Sequence, residues 1–367
     1  MPAVNAAAKS LPTALEAALR SPSHAYLFVG PRGAGKAAAA RAFAAELLAE
    51  GSLDPAEARR RALAIPSSHP DLAWIEPPGT QHLVEEIRRG VIAASAYRPF
   101  EGTRRVFVIA AAEAMAEESQ NALLKTLEDP PPFAHLILLS SEPEGLLETV
   151  RSRCQPIRFA AASPEAAAAM LAELGLGTEA ERWAAARLAG GDHDRATALL
   201  EPPASELREA AAALVGDARR GELAEAQWLR LLELADEAGR RAGADLRARA
   251  VAAEEAGVAG ARSEREAADA ARRAERRART EALDLGLALV CAWLRDLAAV
   301  ADGAAELVLN ADRIDELTAQ ADGLDARAPR RAAELAMDVR RRLQVNVGEE
   351  LALEALAFRL EALLAER

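Results

Sequence analysis

The chain has 367 residues, 51% of them hydrophobic, with 57 acidic and 45 basic side chains and a net charge of −12. That length suits two or three domains of about 150 residues, and that charge argues against a protein that coats nucleic acid unaided, because phosphate neutralisation dominates such affinity, while leaving room for a local basic patch or a place in a DNA-handling assembly. No uncharged run reaches the ~18 residues of a membrane span, Lys9, Glu16 and Arg20 interrupt any signal-peptide pattern, and two cysteines, Cys154 and Cys291, exclude a disulfide framework. A cytoplasmic protein is expected.

Strand-like and helix-like segments alternate through residues 22–160. Tyr26-Leu27-Phe28-Val29 is a short apolar run, followed by a glycine-bearing loop and by Ala37–Glu50, rich in helix formers. Leu72–Ile75 reads as a second strand, Leu83, Ile87 and Val91 carry a helical spacing, and Val106–Ile109 is a third, fully apolar strand. Ala116–Leu127 reads as a helix and Leu136–Leu139 as a fourth strand. Strands alternating with helices imply a parallel sheet covered on both faces. After Phe159 the strand signals stop. Residues 163–200 read as two or three short helices, broken at Gly175-Leu176-Gly177 and Gly190-Gly191, and Pro202-Pro203 marks a boundary. From Ser205 onward the pattern is helical. Within it, 252–282 has one large apolar residue, Val258. That stretch is expected to be a solvated charged helix, an arm or partly disordered, and its removal to cost little stability. The fold class is thus α/β followed by all-α.

Gly30-Pro31-Arg32-Gly33-Ala34-Gly35-Lys36-Ala37 follows a strand and opens a helix, as a phosphate-binding loop does. Gly30, Gly33 and Gly35 would let backbone N–H groups turn toward phosphate oxygens at a helix N-terminus, and Lys36 would reach the outer phosphates. Ala37 stands where a Mg²⁺-ligating hydroxyl belongs. The acidic residues expected after a second strand are also missing, since Ala110, Ala111 and Ala112 follow Val106–Ile109. Glu113 comes too late for the strand tip and reads better as an acid at a helix start. Hydrolysis at this site is not expected. The five histidines, His24, His69, His82, His135 and His193, show no metal-ligand spacing.

Ser119-Gln120-Asn121-Ala122-Leu123-Leu124-Lys125-Thr126-Leu127-Glu128-Asp129-Pro130-Pro131 resembles a segment of bacterial DNA polymerase III clamp-loader AAA+ subunits. Ser152-Arg153-Cys154, His24–Phe28 and His69-Pro70-Asp71-Leu72 resemble three further segments of that family, in order and at similar spacing. The resemblance covers about residues 20–200 and is closer to the delta-prime kind than to the gamma/tau motors, which keep the hydroxyl and an Asp-Glu pair. It implies a RecA-like AAA+ domain over 1–160, a helical lid over 161–205 and an oligomerising helical collar over 206–367. It further implies a stator that does not hydrolyse ATP, works with gamma/tau and delta subunits, and meets the sliding clamp and primer–template DNA through that assembly. Under the resemblance Arg153 is an arginine finger for a neighbour's ATP, an assignment that suits its planar, always-charged fork. Ser141, after the fourth strand, and Arg195, behind Asp192, match sensor positions; read alone, they are a strand-end serine and a first-turn arginine. No cofactor is required, with weak ATP or ADP binding left open. Family members carry four zinc-binding cysteines before the His-Pro-Asp segment, whereas Gly51–Ser68 has none, so no zinc is expected. An active gamma/tau-type motor is the alternative reading.

Overall fold

The computed structural model describes residues 11–64, 67–77, 81–223, 227–255, 264–343 and 348–365. Two compact units divide the chain, Met1–Ala162 and Ser163–Arg367.

The first unit contains α1 (Thr13–Arg20), β1 (Ala25–Val29), α2 (Lys36–Ala49), α3 (Pro55–Leu63), β2 (Leu72–Ile75), α4 (Val84–Ile87), β3 (Arg105–Ile109), α5 (Glu117–Glu128), β4 (Ala134–Ser140), α6 (Glu148–Arg151) and β5 (Gln155–Arg158). A π-helical turn, Arg88–Ala93, prolongs α4. The five strands form one sheet in the order β2-β3-β4-β1-β5, and every pairing is parallel. The period of two explains why the central strands read as unbroken apolar runs. Tyr26, Phe28, Val106, Val108, Ile137 and Leu139 share one core with Phe43 and Leu47 of α2. Leu27, Phe107, Ile109, Leu136 and Leu138 point the other way, toward Ile87, Leu123 and Val150.

Four of the strands lie where the sequence pattern puts them. The fifth, β5, has one buried side chain, Ile157, because it is an edge strand with little to cover it. It gives no apolar run to read. The cysteine-free stretch after α2 forms α3. Asp54 caps that helix by accepting from the N–H groups of Ala56 and Glu57. Ala58 and Ala62 are buried, and Arg59 grips Glu46 of α2 with two hydrogen bonds of 2.8 and 2.9 Å.

The second unit is all helix: α7 (Pro164–Glu173), α8 (Glu179–Ala189), α9 (His193–Ala198), α10 (Ala204–Arg220), α11 (Gln227–Glu255), α12 (Glu264–Ala301), α13 (Ile314–Ala321), α14 (Arg327–Leu343) and α15 (Glu349–Leu364). The segments expected as lid and collar share one core: Leu171, Leu188 and Leu199 join Leu207, Leu231, Leu287, Trp293 and Leu356. Buried polar groups are paired within it. Asp296 accepts from the N–H groups of Leu309 and Asn310, and Arg208 donates to Asn310 and Asp312.

The stretch 252–282 departs from its expectation. Its described parts are 252–255, the end of α11, and 264–282, the first half of α12, which runs antiparallel to α11. Ala270, Ala271 and Ala282 are buried there. A Cβ on Gly239 would come within 2.8 Å of the Glu275 carbonyl oxygen, and one on Gly243 within 3.4 Å of the Ala271 oxygen. The helices meet through glycine and alanine, so a search for large apolar residues finds no stripe. Removing the segment would expose this contact. Residues 256–263, including Val258, lie outside the described residues.

Candidate nucleotide site

Strand β1 delivers the chain to the loop at the carboxyl end of the sheet, where ligands bind in open α/β folds. Gly30 leaves β1 pressed against Phe159, and a Cβ there would lie 2.3 Å from the Phe159 carbonyl oxygen. Gly33 and Gly35 take left-handed backbone, φ 66° and 81°, which side-chain-bearing residues rarely adopt. Gly35 is the N-cap of α2 and brings no side-chain cap. No N-cap side chain occupies the first turn of this fourteen-residue helix, and the helix dipole favours an anion there.

Lys36, the first residue of α2, is 8% exposed. Its Nζ donates to the Gly30 and Pro31 carbonyl oxygens at 2.5 and 2.6 Å and lies 3.2 Å from the Ser141 hydroxyl. The last contact follows from the sheet order. Strands β1 and β4 are neighbours with Val29 opposite Ser140, so the residue after β4 meets the residues after β1. The structure therefore brings Gly30, Gly33, Gly35, Lys36 and Ser141 together. This cradle fits the phosphates of a nucleotide. At the positions expected to hold a metal, Ala37 has no side-chain oxygen, and Ala110 and Ala111 follow β3. No cluster of His, Cys, Asp or Glu among the described residues could hold a metal ion.

Two residues at this end of the sheet were not assigned from the sequence. Ala111 turns the chain through left-handed backbone at φ 48°, and a short 3-10 turn, Ala112–Ala114, follows. That reversal returns Glu113 to the loop after β4, where its Oε1 accepts from the Ser141 N–H at 3.1 Å. Its Oε2 is buried without a hydrogen-bond partner. His82 closes the tip of β3 by donating from Nε2 to the Ala110 carbonyl oxygen at 2.8 Å. Burial holds its pKa below the usual imidazole value. Neither is legible from spacing, because both depend on how the chain turns after β3.

Arg153 lies between α6 and β5. Its Nη2 bonds Glu128 at 2.6 Å, and its Nη1 donates to the Thr149 carbonyl oxygen at 2.9 Å. The guanidinium is half-exposed and joins two of the sequence segments singled out above, the one ending at Glu128 and Ser152-Arg153-Cys154. The Cys154 thiol is buried and pushed up to about 12 by desolvation, which suits a small core residue. Arg195 belongs to the second unit. Its N–H meets the Asp192 cap at 2.8 Å, its Nε is buried without a partner, and burial lowers its pKa.

The family model described as "DNA polymerase III, delta subunit" matches residues 6–163. DNA polymerase III subunit delta' of Bacillus subtilis is 35% identical over 153 residues, 39% of this chain and 44% of that protein. The same subunit of Pseudomonas aeruginosa is 36% identical over 155 residues, 40% of this chain and 46% of that protein. Over residues 6–163 the chain is similar to DNA polymerase III clamp-loader subunits of the delta-prime and gamma/tau kinds. The matched region is the one that holds the parallel sheet and its glycine-bearing loop, and the all-α region follows it. The matches span less than half the length of either delta-prime relative. Subunit gamma/tau of Mycobacterium tuberculosis is 32% identical over 155 residues, 41% of this chain and 27% of that protein. A gamma subunit-related protein of Thermotoga maritima aligns over 95% of this chain and 99% of its own, with 15% identity and a TM-score of 0.43. No helix among the described residues is long and apolar enough to cross a membrane.

Proposed function

We propose that the chain is a delta-prime-like subunit of the DNA polymerase III clamp loader, a stator that supports clamp loading without hydrolysing ATP itself. The observation that carries this reading is the split at the nucleotide site. The phosphate cradle of Gly30, Gly33, Gly35 and Lys36 is intact, while the metal positions are the alanines Ala37, Ala110 and Ala111. Phosphoryl transfer in loop-type ATPases uses a Mg²⁺ held by a hydroxyl and a carboxylate. With neither oxygen present, the cradle supports weak ATP or ADP binding at most, held by the loop amides and the Lys36 ammonium.

In this reading the partners are gamma/tau and delta subunits, and the sliding clamp and primer–template DNA are met through the assembly, in the cytoplasm. Arg153 serves the neighbour's ATP. Its fork is half-exposed and holds one surface carboxylate, Glu128, and the Thr149 carbonyl oxygen. A phosphate chain carries more charge and takes both arms of the fork. Ser141 and Arg195 are assigned sensor positions.

The experiment is Mg²⁺-dependent ATP turnover by the purified chain, with no turnover above background expected. A rate near 1 per second, in the range of ordinary kinases, would overturn the reading in favour of an active motor of the gamma/tau type.

A further inference from the structure

One stretch of the α11–α12 hairpin carries a charge opposite to that of the chain. Between 272 and 279 there are five arginines, Arg272, Arg273, Arg276, Arg277 and Arg279, and one carboxylate, Glu275. The whole protein has a net charge of −12.

The packing of the pair decides where these side chains go. Gly239 and Gly243 of α11 face Ala271, Glu275 and Arg279 of α12. Arg240 follows Gly239, and Arg276 follows Glu275. One residue advances an α-helix by about 100°. In an antiparallel pair that advance turns both residues to the same side. Arg247, seven residues on from Arg240, shares its face. Arg272 and Arg265, four and eleven residues before Arg276, share the other helix's face. Five arginines therefore stand on one side of the hairpin, all exposed. Two carboxylates reach them. Asp269 bonds Arg272, and Glu275 lies 3.4 Å from Arg247. Arg240 and Arg276 have no carboxylate partner among the described residues, and Arg265 shares the charge of Asp269 with Arg272 and Arg273.

We infer that this arginine face of the α11–α12 hairpin binds the phosphate backbone of duplex DNA. The choice of partner follows from what the face lacks. A protein partner needs a desolvated apolar or aromatic anchor at the centre of its interface. Val251, beyond Arg247, is the one exposed large apolar side chain of this stretch among the described residues. Single strands are held by aromatic side chains on which bases stack, and the stretch from 236 to 282 contains no aromatic residue. What remains is rigidly spaced guanidinium groups, which suit phosphates at the surface of a duplex and read no sequence. The assignment does not rest on the chain's clamp-loader role.

The test is binding of the full chain to a fluorescent mixed-sequence DNA duplex, titrated at several salt concentrations from 50 mM upward. The chain should bind the duplex at low salt and lose it steeply as salt rises. In the triple variant Arg240→Gln, Arg265→Gln, Arg276→Gln the slope of log affinity against log salt should fall by about one per arginine removed. The triple lysine variant should keep most of the binding, since it keeps the charge, and thermal melting of both should match the parent. Absence of duplex binding at 50 mM salt would overturn the inference. So would an unchanged slope in the glutamine variant, or polyglutamate or single-stranded DNA binding as tightly as the duplex.

Discussion

Glu113 is the residue whose role changes most between sequence and structure. In the sequence it is an acid near a helix start, four residues past β3. In the fold the left-handed turn at Ala111 returns it to Ser141, whose N–H it accepts. Glu113→Ala would leave that part-buried N–H without an acceptor, at a cost of about 1–3 kcal/mol. Glu113→Gln retains an acceptor oxygen and should recover most of it. Urea unfolding of the two variants checks this; equal loss in both would show that charge rather than the hydrogen bond matters. The histidines give a pH dependence. Burial lowers the pKa of His69, His82 and His135; the Asp71 N–H donated to His69 Nδ1 also favours the neutral ring, while at His82 and His135 burial outweighs the carbonyl bonds to Ala110 and Ser23, which favour the charged form. The unfolded chain therefore takes up these protons first. Their contribution to stability is full above the ordinary imidazole value of 6.5 and is lost as pH falls below it toward the lowered values. The urea midpoint should be lower at pH 5.5 than at pH 7.5. A flat profile, or one that rises toward acid, would contradict the assignment.

Elements were legible in proportion to how apolar they are. Strands β1, β3 and β4 are buried on both faces, so their sequences are unbroken runs. Strand β5 buries Ile157 alone and has no such signal. Helix α8 lies between the glycine breaks at 175–177 and 190–191; its capping box of Thr178 and Glu181 fixes its start and Gly190, in left-handed backbone, ends it. The α11–α12 contact leaves no apolar signal in the sequence because its closeness depends on absent side chains. A leucine at Gly239 would meet the Glu275 backbone, which sits 2.8 Å from the position of the first added carbon. Gly239→Leu should therefore lower stability by about 1–3 kcal/mol through overpacking, read as a fall in melting temperature. An unchanged melting temperature would mean that the helices are not held together at this level.

At the scale of the molecule, the sequence showed the order of elements and the phosphate loop. It did not show which distant residues meet. Ser141 reaches Lys36 because β4 lies beside β1, and the Arg153–Glu128 pair forms because the turn after α6 lies beside the end of α5. Those meetings are properties of the sheet order, which no local pattern encodes. The central claim is that this subunit does no hydrolysis and completes a neighbour's site. Its most direct test is ATP turnover by a clamp loader reconstituted from gamma/tau, delta and either the parent chain or Arg153→Ala. An arginine finger contributes roughly 10³–10⁵ in rate at the site it serves, equivalent to about 4–7 kcal/mol. The variant complex should assemble normally and lose the share of DNA-stimulated turnover that depends on that one site, with clamp loading falling further. Undiminished turnover and clamp loading by a fully assembled Arg153→Ala complex would contradict the account.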